Sequence, residues 1–88
     1  MATIEKKIWP KYFDEIASGK KKFELRLNDF DVAPGDTLIL EEWDPETKTY
    51  TGRRLEKRVT HLYRFEVDKL FWPEHEVKEK GLQILSLE

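Results

Sequence analysis

The stretch GKKKFELR at residues 19–26 holds the side chains of this chain that are best suited to chemistry. Successive side chains of an extended segment point to opposite faces, so Glu24 and Arg26 are predicted to share one face. The opposite face would carry the apolar residues Phe23, Leu25 and Leu27. We expect the apolar face to be buried and the charged pair to line a groove. Because a guanidinium fixed beside a carboxylate recognises planar polar ligands, the stretch predicts binding of a nucleic-acid base or a phosphate.

A strand and a helix must position this stretch. Residues 3–9 are predicted as a first strand, and its last residue, Trp9, is extended because a proline follows it. Pro10 suits the first turn of a helix, whose apolar residues recur on one face until Gly19 supplies a left-handed cap. The three lysines after Gly19 lie where cations complement the helix dipole, which is an alternative to a functional role for Lys21.

Four further strands are predicted at residues 23–27, 37–43, 53–64 and 81–87. The turn at Pro34-Gly35 and a hairpin tip at residues 44–48 separate the middle ones, and residues 65–80 are predicted as a short helical turn or a loop. Five strands with one clear helix after the first, and no repeated strand-helix unit, argue against a doubly wound sheet. We therefore expect an α+β fold that is mainly β, a small barrel of five to six mostly antiparallel strands. Residues 1–88 are predicted to form a single domain.

The chain resembles the ASCH domain, a member of the PUA-like superfamily of small barrels. The signature of that family is glycine, any residue, lysine, two residues, glutamate, one residue and arginine. It is met here by Gly19, Lys21, Glu24 and Arg26. The helix before the motif and the turn at residues 32–38 that leads into a strand are also similar to that family.

The resemblance implies a cleft lined by Lys21, Glu24 and Arg26 that binds RNA or a nucleotide. Some members of the family are amidohydrolases that act on acylated cytidine nucleosides, which implies Lys21 and Glu24 as catalytic residues if this chain is an enzyme. The hydrolytic members have a hydroxyl residue where this chain has Glu24. A distal acid could assist instead, and the candidates are Glu66, Asp68, Glu74 and Glu76. A third interpretation is a module that binds another protein through its aromatic surface.

Other residues are candidates for the ligand site. Lys22 shares the strand parity of the charged pair, although a residue in a turn, such as Lys21, is not bound by that parity. Trp9 is the tryptophan best placed to stack on a base, and Asn28 could pair with a base edge. Arg58 could join the site, or Arg54 and Arg58 could form cross-strand ion pairs with Glu24.

The charge of the chain is divided into blocks. Charged residues make up 39% of the sequence, and the net charge is −2. Residues 1–26 and 51–64 are basic, whereas residues 27–50 and 65–88 are acidic. Two basic segments that fold side by side would form a positive stripe, which is typical of nucleic-acid binding. The dense Lys and Glu with few amides also suggests a thermophilic source.

Composition also limits the cofactors, the partners and the location. The chain has no cysteine, so it has no disulfide and no thiolate metal site. Its two histidines, His61 and His75, lack the spacing of a zinc site, and we expect no metal and no cofactor. The chain has no apolar run long enough to cross a bilayer and no secretion signal. We therefore expect a cytoplasmic monomer whose partner is RNA, a nucleotide or a nucleoside.

Overall fold

Three strands form one mixed sheet in the order β1-β2-β3 in the computed structural model, which describes residues 1–85 and 87. The strands are β1 (Thr3–Ile8), β2 (Thr37–Asp44) and β3 (Thr49–Arg58). β1 runs parallel to β2, with Thr3 opposite Thr37, and β2 runs antiparallel to β3. Because a parallel pair needs a crossover, the chain between β1 and β2 must travel back along the sheet, and it carries a helix on the way.

That helix, α1 (Pro10–Ala17), confirms the sequence prediction in its position and its start. Trp9 is extended, with ψ 152°, and Pro10 follows at the first helical position. Beyond the last turn, Gly19 adopts a positive φ of 80°, which glycine reaches without the steric clash of a Cβ. The buried face of α1 carries Phe13 and Ile16.

The core lies between α1 and one face of the sheet. Its buried members are Ile8, Phe13, Ile16, Leu38 and Leu40. Three half-buried residues pack against them, Ile4, Leu55 and Val59. The register explains this set. Ile4 lies opposite Leu38, and Leu40 lies opposite Leu55. Residues that lie opposite one another on neighbouring strands point to the same side of the sheet.

The predicted strand at residues 23–27 is not a strand in the structure, and its predicted faces are reversed at residues 24–27, whereas Phe23 is half-buried. Leu25 and Leu27 are 62% and 80% exposed, whereas the side chains of Glu24 and Arg26 are only 17% and 28% exposed. The charged residues can turn inward because they bind each other and the backbone of β1, as described below. Alternation therefore grouped Glu24 with Arg26 correctly but assigned the exposed side to the interior, and it grouped the half-buried Phe23 with two exposed leucines.

β3 lies earlier in the sequence than the predicted strand at residues 53–64. The ladder ends after Arg58, where the amide of Val59 donates to the Asp36 carbonyl and the Val59 carbonyl accepts from the Gly35 amide. These two hydrogen bonds join Val59 to the turn before β2, so Val59 pairs with a turn and not with a strand. His61 and Tyr63, which follow the end of the ladder, are exposed.

The C-terminal part contains a 3₁₀ turn at Val67–Lys69 and a second helix, α2 (Glu74–Lys80). The short helical turn predicted within residues 65–80 is confirmed. Residues 81–85 and 87 carry no strand, and Ser86, which lay in the predicted last strand, is outside the described residues. The described residues thus form an α+β fold with one three-stranded sheet. No helix among them is long and apolar enough to cross a membrane.

Candidate functional site

Lys21, Glu24 and Arg26 converge in the structure, and we call these three residues the motif cluster. Glu24 Oε1 lies 3.6 Å from Lys21 Nζ, and Arg26 Nε donates to Glu24 Oε2 at 2.7 Å. The side chain of Lys21 is 18% exposed, close to the value for Glu24. One carboxylate therefore holds an ammonium and a guanidinium together at a partly solvated surface, with a net charge of +1.

The end of α1 selects Lys21 rather than Lys22 for this cluster. The amide of Gly19 donates to the Ile16 carbonyl, and the amide of Lys21 donates to the Glu15 carbonyl at 3.0 Å. These bonds wrap residues 19–21 around the helix end, so Lys21 returns towards Glu24 while Lys22 is exposed. Strand parity favoured Lys22, but a residue that is hydrogen-bonded in a turn does not follow that parity.

Two aromatic residues flank the motif cluster, and we call Trp9 and Tyr12 the aromatic pair. Their rings stack with centroids 6.4 Å apart and planes 27° apart. Trp9 is 53% exposed and Tyr12 is 40% exposed, so ring surface remains available to a ligand. The ammonium of Lys21 lies 4.9 Å from the centre of the Tyr12 ring, within the range of a cation–π contact. The motif cluster and the aromatic pair therefore form one continuous surface.

Arg26 anchors this surface to the sheet. Its Nη2 donates to the Lys7 carbonyl at 2.6 Å, near the carboxyl end of β1. The Lys7 ammonium in turn lies 4.7 Å from the ring centre of Trp43 and 5.8 Å from that of Tyr50. Sequence analysis missed Lys7 and Tyr12. The spacing of three residues between Trp9 and Tyr12, one helical turn, is the signal that could have identified Tyr12.

The structure does not bring Arg58 to the motif cluster. Arg58 lies opposite Thr37, which lies opposite Thr3, at the amino end of β1. Lys7 is four residues further along β1, about 13 Å at the usual rise of a strand. Arg54 pairs with Glu5 at 3.6 Å, so the predicted cross-strand pair with Glu24 is wrong.

Asn28 lies in a separate open pocket of about 510 Å³, lined by Asn28, Asp29, Phe30, Asp31 and Arg64. The Oδ1 atom of Asn28 accepts from Arg64 Nε at 3.2 Å, and Arg64 Nη2 donates to the Val32 carbonyl. The amide oxygen of Asn28 is thus already engaged by a side chain that sequence analysis did not consider.

Three of the four candidate distal acids make ion pairs with neighbours in sequence. Glu66 pairs with Lys69 at 3.1 Å. Glu74 and Glu76 pair with lysines one helical turn away, at 3.0 and 3.6 Å. Within residues 1–85 and 87, no group of three or more His, Asp or Glu side chains is arranged to hold a metal ion.

A second charged network, which sequence analysis missed, holds α1 against the sheet. Glu42 is 3% exposed, and its carboxylate accepts from Arg53 Nε at 2.9 Å, from Arg53 Nη2 at 2.6 Å and from Thr51 Oγ1. Arg53 also donates to Asp14 of α1 at 2.8 Å. Hydrogen bonds from Arg53 and Thr51 lower the pKa of Glu42, and the bonds to Glu42 and Asp14 raise the pKa of Arg53.

A buried carboxylate secures the turn before β2. Asp36 accepts from the amide of Ala2 at 2.8 Å and from the amide of Ala33 at 2.9 Å. These two bonds lower the pKa of Asp36, since they stabilise its charged form. Asp36 therefore has a structural role, because it ties the start of the chain and Ala33 to the turn.

Comparison with known proteins identifies a family and one relative. A family described as a domain of unknown function, DUF3850, matches residues 3–71 of the chain. A protein of Escherichia phage P2, described as an uncharacterized 12.9 kDa protein in the GpA 3′ region, is 46% identical over 63 residues. The match covers 70% of this chain and 56% of the phage protein, so the chain spans just over half the length of that relative. No solved structure matches the chain.

Proposed function

We propose that this chain, which belongs to the DUF3850 family, binds RNA or a nucleotide at the motif cluster and the aromatic pair. One observation carries the proposal: the Lys21 ammonium and the Arg26 guanidinium meet at Glu24 beside half-exposed, stacked rings. Cationic donors bind phosphate and base oxygens, and aromatic rings stack on bases. Both are needed to bind a nucleotide, and here they adjoin.

The proposal includes membership of the PUA-like superfamily through the ASCH signature. Gly19, Lys21, Glu24 and Arg26 all have the local roles that the signature implies, as a helix-end glycine and three converging charges. A closed barrel of five to six strands is part of this proposal. It requires residues 23–27 and 81–87 to join the sheet, and slow amide exchange in both segments would support it. Fast exchange there, beside protected amides in β2, would count against the barrel.

The test of the function is a titration of the chain with a labelled single-stranded RNA and a stem-loop at two salt concentrations. We expect saturable binding that weakens with salt, because contacts to phosphate release counterions. Two contacts, from Lys21 and Arg26, predict a slope of about −1.4 in log K against log salt for a single strand. If no saturable binding is found at low salt, the proposal is rejected.

Substitutions locate the binding. Arg26→Ala and Trp9→Ala should each weaken it about tenfold or more, since base stacking alone is worth about 1–3 kcal/mol. Lys78→Ala is the matched control, because it removes one positive charge from an exposed ion pair on α2. If Lys78→Ala weakens binding as much as Arg26→Ala, the loss comes from the lower overall positive charge and not from a specific contact of the motif cluster. A co-purifying chain or an oligomer that is indifferent to Arg26→Ala would instead favour a protein-interaction module.

A second candidate is an amidohydrolase acting on an acylated cytidine nucleoside. The favouring observation is that Lys21 Nζ lies 3.6 Å from Glu24 Oε1, with both side chains less than one-fifth exposed, so an amine and a carboxylate adjoin at one site. Chromatographic detection of cytidine released from N4-acetylcytidine tests this. Equal release by the chain and by its Lys21→Ala variant would exclude the activity at this site.

A further inference from the structure

The contacts of Glu24 suggest what the motif cluster recognises. We infer that Lys21 and Arg26 bind the phosphate of a nucleotide unit, that Trp9 stacks on its base, and that Glu24 is a positioning residue. This inference rests on the proposed function and narrows it. The alternative is that Glu24 itself accepts a hydrogen bond from a base amine.

Both oxygens of Glu24 face cations of the protein itself. Oε2 accepts from Arg26 Nε at 2.7 Å, and Oε1 lies 3.6 Å from Lys21 Nζ. A charge-assisted bond is about twice as strong as a neutral one, so a neutral base amine is a weak competitor for these oxygens. Glu24 therefore serves to hold Lys21 and Arg26 side by side, which two like charges would otherwise resist.

The hydrogen bonds of Nε and Nη2 fix the orientation of the Arg26 guanidinium. Two of its N–H groups are used, one on Nε for Glu24 and one on Nη2 for the Lys7 carbonyl. A guanidinium has five N–H donors, so three remain, on Nη1 and on the second position of Nη2. With the Lys7 carbonyl on the Nη2 hydrogen nearest to Nε, Nη1 and Nη2 form a fork that can bind two oxygens of one phosphate.

Lys21 adds a second cationic donor next to this fork. Its ammonium lies 4.9 Å from the centre of the Tyr12 ring and 5.2 Å from that of Phe23, which restricts it to the same small region. The neighbouring Lys20 and Lys22 are exposed. The surface thus offers donors and positive charge, and its one carboxylate is already paired. An anion with several oxygens fits these donors better than a neutral base edge.

The aromatic pair distinguishes a nucleotide from a bare anion. Trp9 and Tyr12 are 53% and 40% exposed, and Tyr12 adjoins Lys21, so we expect a base to stack on Trp9 while its phosphate lies on the fork. The phosphate could be the terminal monoester of a free nucleotide or a diester within RNA. Both present the same oxygens to Lys21 and Arg26.

The test is a titration of the ¹⁵N-labelled chain with uridine, uridine 5′-monophosphate and the dinucleotide UpU, followed by amide chemical shifts at low salt. We expect a phosphate-bearing ligand to bind at least tenfold more tightly than uridine, with shifts at residues 21–26. If the monophosphate binds more tightly than UpU, the site recognises a phosphate monoester. If UpU binds more tightly, it recognises a phosphate diester. Inorganic phosphate should compete with either.

The outcomes separate this inference from the proposed function. If uridine binds as tightly as both phosphate-bearing ligands, the site reads the base and the inference is wrong, while the proposed function stands. If none of the three ligands binds and RNA does not bind either, the proposed function itself fails. If RNA binds but shifts only residues outside the motif cluster and the aromatic pair, the proposed binding site fails together with the inference.

Glu24→Gln tests the positioning role. Without the carboxylate charge, Lys21 and Arg26 should repel, so we expect binding of the monophosphate to weaken about tenfold. The ratios of affinity among the four nucleoside 5′-monophosphates should stay unchanged. Tighter binding, or a changed preference among bases, would overturn the role. If Glu24→Gln does not fold, Arg26→Lys replaces it, since it keeps the charge but loses the fork and should weaken phosphate binding; unchanged affinity would contradict the inference.

Discussion

Arg53 and Glu42 form a two-pronged ion pair across the hairpin, with Arg53 Nη2 2.6 Å from Glu42 Oε2 and Arg53 Nε 2.9 Å from Glu42 Oε1. The guanidinium also lies 4.5 Å from the ring centre of Phe13 and bonds to Asp14. One residue of β3 therefore links β2 to α1, which carries Tyr12 and follows Trp9 directly. The position of the aromatic pair depends on a contact outside the motif.

Replacing Arg53 with Met should lower the melting temperature clearly, by at least about 4 °C. The change keeps the apolar stem but leaves the buried Glu42 carboxylate without its cation, and an unpaired buried charge is strongly destabilising. Arg54→Met is the control, because it breaks only an exposed pair with Glu5 and should change the melting temperature little. Thermal unfolding followed by circular dichroism measures both. Equal decreases in melting temperature for the two variants would show that the network around Glu42 stabilises the fold no more than an exposed ion pair does.

Stability should fall when the solution is acidified below about pH 4.3, the ordinary pKa of a glutamate. Glu42 and Asp36 both have folded pKa values below their usual range, so the folded state binds these protons less readily than the unfolded chain. Their stabilisation is complete above the unfolded pKa and is lost as the pH falls through the folded pKa. Denaturant unfolding between pH 2 and pH 6 should show this, and Glu42→Gln should flatten the slope. A slope that Glu42→Gln leaves unchanged would mean that Glu42 does not titrate with folding.

Leu40→Ala should reduce the free energy of unfolding by about 2–5 kcal/mol. Leu40 is 1% exposed at the centre of the core, and its truncation leaves a cavity that α1 and the sheet cannot easily close. Leu27→Ala is the matched control: Leu27 is 80% exposed, so the change should be within about 0.5 kcal/mol. Urea titration compares the two variants. A large loss in Leu27→Ala would show that Leu27 is buried in solution.

Gly19→Ala should destabilise the chain by about 1–2 kcal/mol, because Gly19 has a φ of +80° that a Cβ resists. Space is not the cause, since a Cβ at this position would meet no other atom within 4 Å. Gly19→Asn should therefore cost less than Gly19→Ala, because asparagine tolerates the left-handed region better. Equal losses in urea titrations would point to a cause other than backbone conformation.

The sequence predicted the elements whose signals are local. Pro10 at the helix start, Gly19 at the helix end and the turn at Pro34-Gly35 each fix the backbone through their own chemistry. The pairing of Glu24 with Arg26 was predicted from their spacing of two residues, whereas Lys21 was implied by the resemblance to the ASCH domain, since strand parity favoured Lys22.

Longer-range features could not be predicted in the same way. Whether Leu25 or Glu24 turns inward depends on the Lys7 carbonyl, nineteen positions before Arg26, which accepts its hydrogen bond. The end of β3 depends on bonds between Val59 and the turn at residues 35–36. The ion pair between the buried Glu42 and the half-exposed Arg53 could not be predicted, since nothing nearby in the sequence indicates either partner.

The parallel pairing of β1 with β2 governs when the ligand site can exist. All residues of the motif cluster and the aromatic pair precede β2, yet β1 has its ladder partner only in β2, across residues 9–36. Closing the loop of residues 9–36 loses more conformational entropy than closing the short β2–β3 hairpin. We therefore expect the hairpin to form before β1 pairs with β2. A growing chain on the ribosome would thus carry the side chains of the motif cluster and the aromatic pair before it has the strand that arranges them. The binding surface is completed only after residues 37–44 have been synthesised and released.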